Sequence, residues 1–440
     1  MKHMKKDFWK YISLGVFGML GSAGTILADA FFVSDKLGAN ALAAMNLATC
    51  VFGLVNGTGL LFGIGGATRY TIFQAQGEEK KANSNFVLAF ATALSVGLLY
   101  ALLGLLFSEP ISSFLGANAD TFIPCNTYLK TILCFSPAFV CNHLLMVFVR
   151  NDGNPGLSMG AMMTGSLANI VLDYMFMYPL HMGIFGAAFA TGLSALIGIS
   201  ISSLHFLLGK NHLHFVRTKI KPREILQIVS LGIAAFVTEF SSGIVLIVFN
   251  LLILNAAGNT GVAAYSVVAN LALTVLAIMN GMSHGLQPLI SQTYGKGDIQ
   301  TAKKLYHKGL RLTFAVGSLV WIAACVFAPT LVRWFNSEGN LLLQTLAEYG
   351  IRLYFIGFLW VGYNYLSVSY LTATEKPRQA FGIALFRGFF GIITIACLMA
   401  SLWGMTGIWL AFPAVEGTTI FVCEILKKRI PDRSPAASLN

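Results

Sequence analysis

The chain has 440 residues, of which 56% are hydrophobic and only 11% charged, with a formal net charge of +11 and a mean hydropathy of +0.71. Globular proteins carry about 25% charged residues, so this composition excludes a soluble protein with a large core. Apolar runs recur from end to end, and about 20 residues suffice to cross a bilayer. In lipid such runs must be helical, because each backbone N–H and C=O has to be satisfied within its own segment. The expected fold class is all-α, a polytopic membrane protein.

Twelve spans are predicted, at 9–33, 41–68, 85–107, 128–149, 157–178, 184–208, 225–254, 262–290, 308–328, 349–371, 380–402 and 408–426. The first contains Ala28-Asp29-Ala30, which imitates a signal-peptide cleavage site behind a basic, apolar start. Cutting there would remove the first span from a six-span repeat, so Asp29 is read as a retained intramembrane carboxylate. Alternate connections hold the basic residues: Lys5, Lys6 and Lys10; Arg69, Lys80 and Lys81; Arg150; Lys210 to Arg223; Lys296 to Arg311; Lys376 and Arg378; Lys427 to Arg433. The opposite connections hold little beyond Lys36 and Arg333. By the positive-inside asymmetry both termini are expected in the cytoplasm, with the protein in the cytoplasmic membrane. The charge orients the chain and calls for no nucleic acid. Seven cysteines lie mostly in spans without a CxxC pair, as small hydrophobes.

An internal repeat organises the spans. At a shift of 220, "GANALAAMN" (38–46) lies over "GNTGVAAYS" (258–266), Gly65 over Gly285, and Gly77 over Gly297. A similar shift pairs "NDGNP" (151–155) with "ATEKP" (373–377), and "GIFGAAFA" (183–190) with "GMTGIWLA" (404–411). Six spans per half give parallel repeats around a pseudo-two-fold along the membrane normal, with a central cleft. The expected division is an N-lobe at 1–208, a cytoplasmic linker at 209–224, a C-lobe at 225–430 and a cytoplasmic tail at 431–440. His212 and His214 read as solvated linker residues.

Four acids stand inside spans: Asp29, Asp173, Glu239 and Glu416. A carboxylate at bilayer depth costs at least about 2.5 kcal/mol, which makes each a functional candidate. At 1.5 Å per residue, Asp29, Asp173 and Thr191 lie roughly 9–12 Å below the outer surface. Asn169 shares a helix face with Asp173, four residues away. Two carboxylates, an amide and a hydroxyl suit Na⁺ or a shared proton rather than a soft metal. In the second half, Glu239 would meet a cationic substrate or relay a proton, and Arg387 would neutralise Glu416 or Glu239. Gln287, Tyr354, Tyr363, Asn364 and Tyr365 are further candidates for the cleft wall. "GLLFGIGG" (59–66) reads as close helix packing. No GxxxxGK[ST] occurs, so no P-loop ATP hydrolysis is expected. His143 and His205 read as packing residues.

"LADAFFVSDKLGANALAAMN", "GLQPLISQTYGKGD", "LANIVLDYMF" and "GIFGAAFATGLS" resemble the multidrug and toxic compound extrusion (MATE) family over nearly the whole chain. The resemblance implies a cation-coupled antiporter, driven by Na⁺ or H⁺, that expels organic cations and toxic compounds, with no enzymatic activity and no cofactor. The family's N-lobe cation site falls on Asp29, Asn169, Asp173 and Thr191. One bacterial branch pairs an acid on the seventh span with one on the tenth; Glu239 matches the first, but the tenth span here carries none. The alternatives are a lipid-linked oligosaccharide flippase of the same superfamily, whose diphosphate Arg387 alone does not hold, and a non-transporting receptor or scaffold. The expected partners are membrane lipids and a small organic cation, and the expected state is a monomer.

Overall fold

The computed structural model describes residues 2–209, 211–336 and 339–428; Lys210, Arg429, Arg433 and the tail 431–440 fall outside them. The described chain is all-α, without a strand. The first half comprises α1 (Lys2–Leu37), α2 (Ala39–Ala75), α3 (Glu79–Phe114), α4 (Phe122–Cys134), α5 (Ser136–Asn151), α6 (Pro155–Met177) and α7 (Gly183–Ser203). The second comprises α8 (Pro222–Gly295), α9 (Ile299–Phe335), α10 (Leu341–Tyr354), α11 (Phe358–Ala373), α12 (Pro377–Leu385) and α13 (Gly391–Lys428).

The crossings follow from where the helices break. Helices α4 and α5 meet at a 51° bend and make one broken span. Helix α8 runs for 74 residues, about 111 Å at 1.5 Å per residue, and so crosses twice. It is interrupted at Gly258 (φ 62, ψ −160), a conformation essentially reserved for glycine. Gly404 (φ 55, ψ −133) divides α13 in the same way. Six crossings per half result, consistent with twelve.

The repeat is written into the backbone. Gly38 and Gly258, paired by the 220 shift, both take positive φ with extended ψ. Gly77 and Gly297 share φ 78, and Gly183 and Gly404 take φ 60 and 55. Glu375 adopts φ 56 where the first half has Gly153 at φ 84. The turn therefore kept its left-handed geometry even where a side chain makes it costlier. Side-chain caps start two helices: Asn154 accepts from the Leu157 N–H at 3.1 Å to start α6, and Asp298 accepts from the Thr301 N–H at 2.9 Å to start α9.

Each half has its own core, yet the first helices cross over. Phe8 and Ile12 of α1 pack into the second half's core, while Ile228 of α8 packs into the first half's. Large apolar side chains such as Leu99, Leu106, Leu319 and Val326 stand exposed, as a lipid-facing surface requires.

The lobes meet at a seam on the basic-loop side. A Cβ at Gly65 would strike the Ile228 carbonyl, and one at Gly232 would strike the Leu61 carbonyl. Helices α1 and α8 meet as closely, Gly15 facing Gly281 and Gly285 facing the Tyr11 backbone. Gln287 Nε2 donates to Thr68 Oγ1 across the seam at 3.0 Å, and Arg69 donates to Gln227. "GLLFGIGG" is therefore a packing surface: it serves α5 at Gly59 and Gly63 and the opposite lobe at Gly65.

Residues 211–221 form neither helix nor strand, and α8 begins at Pro222, two residues before the expected linker ends. The linker is docked more firmly than a solvated reading of its histidines implied. Asp152, just past α5, accepts from Tyr70 Oη (2.7 Å), His205 Nε2 (2.7 Å) and the His212 N–H (2.8 Å). Burial opposes its charge, but those three donors outweigh it and hold the carboxyl below the ordinary range. The His214 N–H donates to Asn83 at 2.9 Å, and Leu213 is buried. The two imidazoles at 212 and 214 do remain exposed.

Candidate functional site

Helix α6 carries Asn169 and Asp173 one turn apart on its buried face, both 0% exposed. Asn169 Nδ2 donates to Asp173 Oδ2 at 3.3 Å. Helix α1 lies alongside, with Thr25 Oγ1 3.5 Å from the Ser166 carbonyl, and one turn further it presents Asp29. The Asp29 and Asp173 carboxyls lie within hydrogen-bonding reach of one another. A bond between two carboxyl groups requires a proton held between them, because an ionised carboxylate has only acceptors to offer. Three acceptor atoms, Oδ1 of Asp29, Asn169 and Asp173, are buried without a hydrogen-bond partner among the described residues. An unmet cluster of oxygens is a chemical demand for a cation or a further proton. No group of three or more His, Cys, Asp or Glu among the described residues has the arrangement of a metal site.

Thr191 is placed by helix packing. Gly165 on α6 approaches the Ser194 carbonyl on α7, and one turn outward from that contact stand Asn169 and Thr191. The Thr191 hydroxyl donates to the Ala187 carbonyl at 2.9 Å, so only its lone pairs remain for the site. Tyr128 of α4, which sequence reading missed, lies within electrostatic range of both carboxyls. A lone tyrosine in an apolar helix gave no periodic signal.

A second site lies between the lobes. A cavity of about 50 Å³ is lined by α2, α8 and α11, with Glu239, Asn280, His284, Gln287 and Tyr365 among its walls. No hydrogen bond or ion pair engages the Glu239 carboxylate among the described residues. Gln287 is buried, with its amide spent on Thr68 and its Oε1 unpartnered. Sequence reading found Glu239 and Gln287 and missed Asn280, Ser283 and His284. Their signal was present: 280, 283, 284 and 287 follow the i, i+3, i+4, i+7 spacing of one helix face.

The remaining candidates gather elsewhere. Arg387 Nε donates to Glu416 Oε1 at 2.7 Å, so its partner is Glu416 and not Glu239. Asn364 Nδ2 donates to Glu416 Oε2 at 2.7 Å and to its backbone carbonyl at 2.9 Å, and the guanidinium lies 4.2 Å over the Tyr365 ring. A π-helical turn (Phe386–Phe390) carries Arg387. Asn364 is thus consumed inside the C-lobe rather than on the cleft wall. Tyr354 is likewise in that core, stacked 4.3 Å from Phe412. Tyr363 donates to Glu424 and accepts from Lys427 (2.9 Å) near the end of α13.

Two six-crossing lobes around a seam and an interior polar cavity define a helical membrane protein built as a two-lobed transporter. The MatE family model matches residues 16–175 and 233–396, one match in each lobe, and the chain belongs to this family of membrane transporters. It is 26% identical over 424 residues to the multidrug export protein MepA of Staphylococcus haemolyticus (strain JCSC1435), covering 94% of this chain and 92% of that one. MepA of Staphylococcus saprophyticus is 25% identical over 397 residues, covering 89% and 86%. Among solved structures, an outward-facing multidrug resistance MATE family transporter of the MOP superfamily superposes with a TM-score of 0.89 at 20% identity, covering 96% and 97%. The D35N mutant of the Vibrio cholerae MATE transporter VcmN gives 0.89 at 20% identity, covering 97% of each chain. A MOP superfamily transporter from Pyrococcus furiosus gives 0.89 at 19%, covering 97% and 95%.

Proposed function

We propose that the protein is a cation-coupled multidrug efflux antiporter of the cytoplasmic membrane, with its basic loops and both termini inside. The Asp29–Asp173 pair carries this reading: two carboxyls on different helices within reach of one another, each with a buried oxygen left unpartnered, suit a site whose occupancy changes with a proton or Na⁺. Inward movement of that ion would bias the lobes between outward- and inward-facing states. One elementary charge crossing 100 mV supplies about 2.3 kcal/mol, which a one-for-one exchange with a monovalent cation gives back. The ion's own concentration gradient does the work there: a tenfold gradient concentrates the substrate about tenfold. Glu239, unpartnered in the interlobe cavity, would meet the positive charge of an organic cation. One chain supplies both lobes, so a monomer suffices. The flippase alternative needs a cationic cleft, and Arg387 is already bound to Glu416. The names of the staphylococcal relatives support export of drugs.

The test is export of a fluorescent organic cation by proteoliposomes under imposed pH or Na⁺ gradients. Asp173→Asn should abolish gradient-driven transport while leaving expression and folding intact. Normal gradient-driven transport in that variant would remove the Asp pair from the mechanism.

A further inference from the structure

Arg150 ends α5 behind the seam and is 8% exposed. Its Nε and one terminal nitrogen are buried with no hydrogen-bond partner among the described residues. Asp152, two residues on, is committed to Tyr70, His205 and His212. The other titratable groups within electrostatic range are Tyr11 from α1 and His284 from α8. Neither offers an opposite charge. Arginine cannot escape this position by losing its proton, as a lysine can. A buried, unpaired cation therefore raises the energy of this conformation.

Its neighbours fix when that penalty applies. Tyr11 and His284 flank one of the close approaches across the seam, where Gly285 faces the Tyr11 backbone and Gly281 faces Gly15. Parting the lobes there admits water to the guanidinium. The gain in hydration then offsets part of the packing lost at the glycine contacts. A seam built only from those contacts and the Gln287–Thr68 bond would have no such opposing term.

We propose that Arg150 keeps the conformation closed on the basic side from becoming too stable, and so sets the ease with which that side opens during transport. The inference rests on the antiport reading only in requiring that the lobes part. In the sequence Arg150 counted merely as one more basic loop residue.

Hydrogen exchange on the purified full-length chain in detergent reads the seam directly, through segments 61–72 and 281–295. Arg150→Met, similar in length but uncharged, should slow exchange there about tenfold, equivalent to about 1.4 kcal/mol toward the closed form. It should also raise the melting temperature and lower the maximal transport rate more than the affinity for substrate. Arg150→Lys, compared with native protein at about pH 5 where a lysine there also holds its proton, should exchange as the native protein does. Unchanged or faster exchange in Arg150→Met, or a lower melting temperature, would overturn the proposal and make Arg150 an ordinary structural support. Slowed exchange in Arg150→Lys as well would overturn it by tracing the effect to side-chain shape. Exchange needs no gradient, so loss of gradient-driven transport in native protein would sink the antiport reading without touching this measurement.

Discussion

Replacing Glu416 by Met should cost far more stability than replacing it together with Arg387. Glu416 is 2% exposed, and its carboxylate meets Arg387 Nε and Asn364 Nδ2, each at 2.7 Å. Removing the acid leaves the guanidinium, 14% exposed, without its counter-charge. Breaking one side of a buried pair costs about 3–5 kcal/mol. Arg387→Met should cost a similar amount by stranding the carboxylate, plus up to about 1 kcal/mol for the stacking on Tyr365. The double replacement strands neither charge. Asn364 would keep the Glu416 backbone carbonyl as its acceptor. Such exchanges for apolar residues of similar volume are often neutral, or even stabilising by about 1–4 kcal/mol. The double variant should therefore lie within about 2 kcal/mol of native, giving a coupling of at least about 4 kcal/mol. Denaturant midpoints of the four proteins in mild detergent, followed by tryptophan fluorescence, supply the cycle. Proteoliposome transport supplies the functional arm, where the double variant should still couple. Additive single effects would refute the energetic argument, and a stable but transport-dead double variant would move the pair into the transport site.

Two further expectations follow from the seam and the linker. Gly232→Ala places a Cβ against the Leu61 carbonyl, which cannot yield as a side chain could; exchange at 61–72 should rise and transport fall at least tenfold with normal expression, and native transport would show that the seam can loosen at no cost. Asp152 is held below the ordinary carboxylate range, so its contribution is complete above about pH 4 and is lost as the pH falls through the lowered value. Limited pepsin digestion should begin to cut at 208–221 only in that acidic window, whereas Asp152→Asn should be cut at the same rate across it; equal pH dependence in both proteins would place the linker's anchor elsewhere.

Sequence reached far into this fold because its repeat punctuation is chemical. Gly38/Gly258, Gly77/Gly297 and Gly183/Gly404 were paired by offset alone, and each pair adopts the same left-handed backbone. Only glycine does that cheaply, so position and conformation are tied. The juxtaposition of Asp29 with Asp173 was legible for a similar reason, since helix rise converts residue count into depth. Lateral placement was not legible. Depth could not tell that Asn364 turns toward Glu416, that Tyr354 stacks on Phe412, or that Arg387 chooses Glu416 over Glu239. Those choices depend on helix rotation, and the π-helical turn carrying Arg387 shifts the phase that a regular 3.6-residue period would give.

The two lobes share a scaffold and divide the chemistry, and α1 joins the two parts. The position matching Asp29 in the second half is Phe249, fully buried and stacked 5.5 Å from Tyr265. The C-lobe thus carries an aromatic core where the N-lobe carries an acid; of its own acids, Glu416 is neutralised by Arg387 and Glu239 stands in the interlobe cavity. On the antiport reading, the Asp29–Asp173 pair takes the coupling ion and Glu239 is left to meet the substrate. Helix α1 bears Asp29 toward its C-terminal end, faces Gly281 with Gly15, and inserts Phe8 and Ile12 into the C-lobe core. Fourteen residues separate Asp29 from Gly15, about 21 Å along one helix. On the antiport reading, an ion that loosens or tightens α1 against α6 therefore acts on the seam through a single rigid element. Arg150 stands behind the same stretch of α1, beside Tyr11. On that reading the Asp29–Asp173 carboxyls would act at one end of the helix, and the unpaired Arg150 would weaken the closure at the other. Neither needs a chain of intermediates across the protein to be felt by the other.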